Sequence, residues 1–271
     1  MKNTEVEITN ILGVGKNGTT LFGSLLDNHS EVATFPFEMK FVEHYFNRIN
    51  EKNFANMSDF FLNKSKISLL NNKSIKTNPM ARIVIGNLYA PNFNVNEFKQ
   101  LVEKKINSSL RTEVDFKKFI VLFHQCLNIF LKKEIGEKIV IQDGVFGLRY
   151  IEEQKKLFKK IKFIVVVRNP LDVYVSLKKI THNSKRFRRN IHDLTQAENL
   201  NTSQENLNYK ILNKVFEGNK TDKNFLFLRY EDLVNNPEKI MKKTAEFLKI
   251  SFDRNLIQPT IFGRPWLGNS S

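Results

Sequence analysis

The stretch Gly13-Val14-Gly15-Lys16-Asn17-Gly18-Thr19-Thr20 is the part of this sequence that decides its fold. An apolar run at 6–12 precedes it and predicts a buried strand, and apolar residues at helical spacing follow it and predict a helix. A glycine-rich turn between a strand and a helix presents backbone N–H groups to an anion, and the helix dipole favours the same charge. The stretch therefore predicts a phosphate-binding loop, with a plain strand–helix connection as the alternative.

The nucleoside triphosphatase P-loop, G-x-x-x-x-G-K-[ST], is the nearest alternative motif. Gly13 and Gly18 fit its two glycines, but Thr19 stands where the P-loop lysine belongs. The lysine of this sequence, Lys16, lies inside the loop instead. A nucleotide-dependent kinase or triphosphatase is therefore an alternative hypothesis that lacks its lysine.

The composition is typical of a globular α/β protein with an anionic partner. The 271 residues suit one α/β domain with elaborations, or at most two domains, and an apolar fraction of 41% is enough for a sizeable core. The formal net charge of +15 leaves nucleic acid, acidic polysaccharide and phosphorylated cofactors open as partners. The lone Cys126 excludes an intrachain disulfide and suits a reducing compartment, and its apolar surroundings predict a buried core residue.

The sequence also carries expectations about location. Its first residues are polar and contain no hydrophobic signal segment. The longest apolar-rich stretch, 120–131, is too short to cross a bilayer. We therefore expect a cytoplasmic protein without a transmembrane segment. The last residues contain no terminating element, which leaves a truncated C-terminal end as one interpretation.

Alternating strand and helix patterns predict one domain, residues 1–271, with a P-loop-like three-layer α/β fold. It would contain a central parallel sheet of about five strands with helical elaborations, the largest at about 45–135. The predicted strands are 6–12, 31–35, 138–141, 161–167 and 224–228. The predicted helices include 116–135, 147–160, 206–216, one that begins at Pro170 and one that begins at Pro237.

Two side chains follow predicted strands at their carboxyl ends, where ligands gather in parallel sheets. Glu38 lies after the second strand, near Lys16. A carboxylate beside an anion-binding lysine is a candidate general base, and a solvated loop glutamate is the alternative. Arg168 follows the strand 161–167, with Ser176 on the next helix. This pair predicts a second anion site, with a helix-capping salt bridge as the alternative.

Two further features have both a structural and a functional interpretation. His124 lies within a predicted helix, and we interpret it as a core or edge histidine rather than a catalyst. The polar segment 182–208 contains the basic cluster Lys185-Arg186-Phe187-Arg188-Arg189, which predicts either a solvated loop or a lid or track for an anionic ligand. The cluster also motivates a nucleic-acid-binding hypothesis, although no zinc-finger, RNA-recognition or basic-helix signature is present.

Three blocks together resemble the PAPS-dependent sulfotransferases of the carbohydrate or heparan-sulfate type and their bacterial relatives. Lys16-Asn17-Gly18-Thr19-Thr20 is similar to the 5′-phosphosulfate loop of that family, usually K/R-[ST]-G-T-T. Val167-Arg168-Asn169-Pro170, followed by Ser176, resembles the 3′-phosphate motif. Arg229-Tyr230-Glu231-Asp232-Leu233 is also similar to a family segment.

The resemblance implies that the chain moves a sulfuryl group from PAPS (3′-phosphoadenosine 5′-phosphosulfate) to a hydroxyl, on a carbohydrate or related metabolite, without a metal. It implies that Lys16 stabilises the leaving phosphate during in-line transfer. The cofactor-binding residues that it implies are Gly15, Lys16, Asn17, Gly18, Thr19, Thr20, Arg168, Ser176, Tyr230 and Arg264.

The segment Glu38-Met39-Lys40-Phe41-Val42 extends this resemblance. In heparan sulfate sulfotransferases and their relatives, a glutamate in an E-x-x-F-F context deprotonates the acceptor hydroxyl, which implies that Glu38 is the catalytic base. Lys40 and His44 would then contact the acceptor, and residues 45–135 would lie on the acceptor side.

Three positions depart from the family pattern. Asn17 replaces the usual Ser or Thr, and Leu21 stands where cytosolic small-molecule members carry a tryptophan. After the third strand, Gln142-Asp143-Gly144-Val145 replaces the usual Glu-Lys-Thr-Pro, so the lysine of that segment is missing. The change at Asn17 implies one altered cofactor contact, and Leu21 disfavours a phenol or steroid acceptor. The missing lysine makes an anionic polysaccharide acceptor less favoured.

Overall fold

The computed structural model describes residues 6–35, 37–47, 94–106, 113–131, 138–183 and 194–266. Within these residues the central sheet consists of parallel strands in the order β2-β3-β1-β4-β5. The strands are Ile8–Leu12 (β1), Val32–Thr34 (β2), Lys138–Gln142 (β3), Ile161–Val167 (β4) and Phe225–Arg229 (β5). The predicted parallel sheet of about five strands and the α/β class are confirmed.

Helices pack on both faces of this sheet. They are Thr19–Leu26 (α1), Phe41–Asn47 (α2), Val95–Ile106 (α3), Glu113–Phe130 (α4), Gly144–Arg149 (α5), Ile151–Leu157 (α6), Pro170–Asn183 (α7), Leu194–Asn219 (α8), Tyr230–Asn235 (α9) and Pro237–Leu248 (α10). A 3₁₀ helix at Arg254–Ile257 and a hairpin of Thr260–Ile261 (β6) and Arg264–Pro265 (β7) follow. None of the described helices combines the length and apolar character that crossing a bilayer requires.

The predicted helix at 147–160 is wrong in its extent. The shorter helices α5 and α6 occupy this region, because the backbone of Tyr150 leaves the helical conformation (φ −119°, ψ 29°) and separates them. Much of the predicted elaboration at 45–135, and the basic cluster at 185–189, lie outside the described residues.

Two apolar clusters fill the space between the sheet and its helices, one on each face. Ile8 and Leu12 of β1 join the cluster that includes α2 to α6 and α8, whereas Ile11 joins the cluster that includes α1, α9 and α10. This alternation follows from the period of two in a strand. Because both faces are covered, the fold has the predicted three layers.

The carboxyl ends of the parallel strands lie along one edge of the sheet. In the order of the sheet, β2 leads to Glu38, β3 to Asp143, β1 to the glycine-rich loop, β4 to Arg168 and β5 to Tyr230. The chain crosses from one side of β1 to the other between β3 and β4. The glycine-rich loop therefore lies at the switch point of the sheet, where α/β folds bind ligands.

Gly23 tests how closely α1 packs on the sheet. A Cβ atom at Gly23 would lie 1.9 Å from Nε2 of Gln142, and that amide is held by its bond to the Phe35 carbonyl (3.1 Å). We expect Gly23→Ala to lower the free energy of unfolding by ~1–3 kcal/mol, measured by urea denaturation. The control is Gly218→Ala in α8, where a Cβ atom would meet nothing within 4 Å. An equal loss of stability in both variants would contradict the packing argument.

Candidate active site

The glycine-rich loop, residues 13–18, joins β1 to α1 with a strained backbone. Lys16 has a left-handed φ of 64° and Gly18 a φ of 91°. A Cβ atom at Gly18 would also lie 2.2 Å from Cδ2 of Tyr230, so only glycine fits there. Within the described chain, no side chain caps the N-terminus of α1, which begins with the half-buried Thr19 and Thr20. The first N–H groups of this helix thus remain suited to an anion.

Asn17 fixes the loop to the neighbouring strand. Its side chain is completely buried, and Nδ2 donates a hydrogen bond to the carbonyl oxygen of Val166 on β4 (2.9 Å). The backbone N–H of Asn17 donates to the Val14 carbonyl within the loop (3.3 Å). Asn17 therefore attaches the loop to β4 through a buried hydrogen bond. This bond gives a structural reason for an amide where the family loop usually has Ser or Thr.

Arg168 connects the loop to the second predicted anion site. Its Nη1 donates to the backbone carbonyl of Lys16 (3.1 Å), and its guanidinium lies 4.3 Å from the ring centroid of Tyr230. The buried Nε of Arg168 has no hydrogen-bond partner among the described residues. Because the Tyr230 ring also contacts Gly18, it packs against both predicted anion-binding segments.

Tyr209 of α8 is a member of this network that the sequence did not reveal. Its hydroxyl donates to the carbonyl oxygen of Arg168 (3.3 Å) and lies 3.5 Å from Oδ1 of Asn17. It follows Arg168 by 41 residues, and no motif connects the two positions. A helical aromatic residue at this spacing has no distinguishing signal in a single sequence.

The helix α7 begins beside Arg168 without using its charge. Oδ1 of Asn169 accepts from the N–H of Leu171 (2.9 Å) and so caps the helix, and the N–H of Asn169 donates to Oε1 of Glu231 (2.8 Å). The alternative of a helix-capping salt bridge at Arg168 is therefore wrong. Ser176 is half-buried on the same helix, one turn after the buried Val173.

Glu38 lies on the other side of the loop, after β2. Its carboxylate packs against Gly144, because a Cβ atom there would lie 2.4 Å from Oε1 of Glu38, and Gly144 has a φ of 56°. The two other predicted acceptor residues are close in sequence. Lys40 has a left-handed φ of 58° and pairs with Glu43 (3.3 Å), whereas His44 is buried in α2.

Asp143, at the end of β3, is a completely buried carboxylate that was not among the predicted site residues. Its Oδ1 accepts from the N–H of Val42 (3.1 Å) and its Oδ2 from Nδ2 of Asn10 (2.8 Å). Burial raises the pKa of Asp143 to about 7, helped by the charges of Glu38 and Glu43, although the two hydrogen bonds act in the opposite direction. An acid directly after a strand was the available sequence signal.

Arg264 lies in the hairpin of β6 and β7, which is fixed at the far end of α1. Oδ2 of Asp27 accepts from the N–H of Gly263 (2.7 Å) and from the hydroxyl of Thr260 (2.9 Å). Asp27 follows the last residue of α1, which is ~12 Å long, and the glycine-rich loop precedes the first. Over the described residues, no group of three or more His, Cys, Asp or Glu side chains could hold a metal ion.

His124 and Cys126 of α4 are core residues, as interpreted from the sequence. Nδ1 of the completely buried His124 donates to the Ile120 carbonyl (2.7 Å), and its ring packs near Phe41 (5.8 Å between centroids). Burial lowers the pKa of His124 to about 4, although that hydrogen bond raises it, and burial raises the pKa of the Cys126 thiol to about 11.

Comparison with known proteins identifies the family and the fold. The model of the sulfotransferase family matches residues 9–254. No match was found among curated proteins. The sulfotransferase domain from the curacin biosynthetic pathway is 18% identical, with a TM-score of 0.51, over 94% of this chain and 77% of that one. A sulfotransferase from Mycobacterium avium is 13% identical, with a TM-score of 0.52, over 93% and 66%. These structures share the fold.

The buried histidine predicts a pH dependence of stability. Between pH 6.5 and 4 the unfolded chain binds a proton at His124 and the folded chain does not, so the free energy of unfolding falls as the pH falls, by about 1.4 kcal/mol per pH unit. We expect His124→Phe to remove this part of the acid sensitivity in urea denaturation. The difference between the two proteins at pH 8 isolates the effect of packing, and parallel stability curves from pH 8 to 4 would refute the prediction.

Proposed function

The chain belongs to the sulfotransferase family, and we propose that it transfers a sulfuryl group from PAPS to an acceptor hydroxyl, on a carbohydrate or related metabolite. The observation that carries this proposal is the direct contact between two predicted anion-binding segments, the glycine-rich loop and the segment that begins with Arg168. Arg168 bonds to the Lys16 carbonyl, and Tyr230 packs against both Gly18 and Arg168. A donor with phosphates at its 3′ and 5′ positions requires two such segments close together. PAPS supplies the activated sulfuryl group on its 5′-phosphate.

The donor side would be formed by the loop and the ends of β4 and β5. The backbone N–H groups at the start of α1, with the hydroxyls of Thr19 and Thr20, would bind the 5′-phosphate. Arg168 and Ser176 would bind the 3′-phosphate. The residues fit this ligand, since no side chain of the described residues caps the N-terminus of α1 and Nε of Arg168 is a donor without a partner in the described chain.

Glu38 and Lys16 would carry the chemistry. Glu38 removes the proton from the acceptor hydroxyl while the hydroxyl oxygen of the acceptor forms the new bond to sulfur. The proton remains on the Glu38 carboxylate. Lys16 and the loop N–H groups stabilise the charge that develops on the departing phosphate as its bond to sulfur breaks. The products are a sulfate ester and 3′-phosphoadenosine 5′-phosphate.

The surroundings of Glu38 support a hydroxyl-rich acceptor. The ring of Phe146 follows Gly144, and Lys40 and Arg149 lie 4.0 Å and 5.6 Å from its centroid. This arrangement combines an apolar ring with hydrogen-bond donors on the two segments that also carry Glu38 and Gly144. The family match favours sulfuryl transfer over the kinase or triphosphatase hypothesis. The nucleic-acid hypothesis stays a prediction, because its basic cluster lies outside the described residues.

The first test is calorimetric titration with 3′-phosphoadenosine 5′-phosphate in EDTA, with ADP and with ATP plus Mg²⁺ as comparisons. We expect binding that requires the 3′-phosphate, and a loss of about 10- to 100-fold in Arg168→Ala from the lost charge-assisted hydrogen bonds. Arg229→Ala is the matched control, because Arg229 carries the same charge one residue before Tyr230 but is exposed. Tighter binding of ATP with Mg²⁺, or equal losses in both variants, would overturn the donor assignment.

The base is tested by Glu38→Gln, which keeps the shape of the side chain and removes its basicity. We expect the release of 3′-phosphoadenosine 5′-phosphate from PAPS to slow by about 100-fold or more with carbohydrate acceptors, with donor affinity unchanged. The control is Glu43→Gln, which removes the same charge from α2. Unchanged turnover in Glu38→Gln would show that another group accepts the proton.

A further inference from the structure

The turn at the end of β3, residues 142–144, differs from the usual family segment by carrying an acid where a lysine is common. In this chain the acid is Asp143, and it is completely buried. A residue without exposed surface cannot contact an acceptor. Its function must therefore lie in what it holds in place.

This turn is bonded to the segment that carries Glu38. The N–H of Met39 donates to the carbonyl oxygen of Gln142 (3.0 Å), and the N–H of Val42 donates to Oδ1 of Asp143 (3.1 Å). These bonds lie one residue and four residues after Glu38. Two hydrogen bonds therefore attach the segment that carries Glu38 to this one turn.

Gly144 completes the contact from the other direction. Its Cα faces the Glu38 carboxylate so closely that a Cβ atom would lie 2.4 Å from Oε1. Its φ of 56° lets the chain turn directly from Asp143 into α5. The turn therefore contacts the Glu38 carboxylate through Gly144. It also supplies the acceptors for the backbone N–H groups of the segment that follows Glu38.

The bond from Asp143 also caps α2. The N–H of His44 donates to the Lys40 carbonyl (3.0 Å), so Val42 is the second residue of the helix. An N–H at that position has no acceptor within its own helix, and the side chain of Lys40 offers no oxygen. Asp143 supplies the missing oxygen from 101 residues away in the sequence. A helix terminus also favours a negative partner.

The second oxygen of Asp143 connects this cap to the centre of the sheet. Oδ2 accepts from Nδ2 of Asn10 on β1 (2.8 Å), and the same amide donates to Oε1 of Gln154 (2.7 Å). Nε2 of Gln154 in turn donates to the Gly147 carbonyl (2.8 Å). The Asp143 carboxylate therefore bonds with one oxygen to α2, which follows Glu38. With the other oxygen it bonds to β1, which leads into the glycine-rich loop and Lys16.

We propose that Asp143 is a positioning residue for sulfuryl transfer, which holds α2 and the Glu38 segment in a fixed place relative to the strand that carries the phosphate loop. The inference rests on the proposed function of Glu38 as the base. In-line transfer depends on the relative position of base and leaving group, and small displacements of catalytic groups reduce rates strongly. Asp143 acts through Glu38 and touches neither substrate.

The direct test is amide hydrogen exchange of Val42, followed by ¹⁵N–¹H NMR. We expect the Val42 N–H to be protected in the natural protein and in Asp143→Asn, which keeps an oxygen at the same place. Exchange should be about tenfold faster or more in Asp143→Ala, because the acceptor is gone. The control is Asp27→Ala, which removes another buried aspartate that accepts a backbone N–H, from Gly263. Its Val42 exchange should match that of the natural protein.

The functional readout is the release of 3′-phosphoadenosine 5′-phosphate from PAPS, with the affinity for that product measured separately. We expect Asp143→Ala to slow release by about 10- to 100-fold with product affinity unchanged. Asp143→Asn keeps an acceptor for the Val42 N–H but loses the acceptor for Asn10, because its Nδ2 only donates, so we expect it to restore part of the rate. A rate in Asp143→Ala equal to that of the natural protein would overturn the proposal. So would a Val42 amide that exchanges in the natural protein like an unprotected one, a measurement that needs no variant to fold.

Failure of the proposed base gives a different pattern. Full activity in Glu38→Gln would reject Glu38 as the base while the protection of Val42 by Asp143 was still observed. Loss of activity in Glu38→Gln, together with unchanged Val42 exchange in Asp143→Ala, would reject the positioning role alone.

Discussion

The hydrogen bond from Arg168 to the Lys16 carbonyl is the interaction on which the candidate site depends. It joins the ends of β1 and β4, which are adjacent parallel strands, and it brings two cationic residues to one place on the sheet edge. The ring of Tyr230, the first residue of α9, packs against the guanidinium, and the Tyr209 hydroxyl of α8 bonds to the Arg168 backbone. Arg168 is thus held by three separate elements. A cation held in this way is preorganised for an anion, because little conformational freedom is left to lose on binding.

The features of this arrangement that depend on local sequence were predicted, and those that depend on contacts between distant residues were not. Strand β4 was predicted with its observed limits, because a nearly continuous apolar run dominated by Val and Ile is a local signal. Glu38 and Arg168 were identified because each follows a strand. The contact of Tyr209 with Arg168 joins positions that no local pattern connects. The division of the predicted helix 147–160 at Tyr150 depends on one backbone conformation, which propensity does not specify.

The buried polar residues among the departures from the family pattern share a physical explanation. Asn17 donates to Val166, Gln142 to the Phe35 carbonyl, and Asp143 accepts from Val42. Each of these polar side chains is buried and bonds to the backbone of another segment. Buried polar groups need such partners, so a substitution at one of these positions changes how two segments are joined. From the sequence, the same departures suggested altered ligand contacts.

These internal bonds have a consequence for the geometry of transfer. The loop of the proposed donor side is joined to β4 through Asn17 and Arg168, and the segment of the proposed base is joined to β1 through Asp143 and Asn10. The proposed base and the proposed leaving-group lysine are therefore both positioned by β1 and β4, which are adjacent strands inside the sheet. A sheet interior is among the most rigid parts of a fold. It follows that the sheet sets the relative position of the segments that carry Glu38 and Lys16.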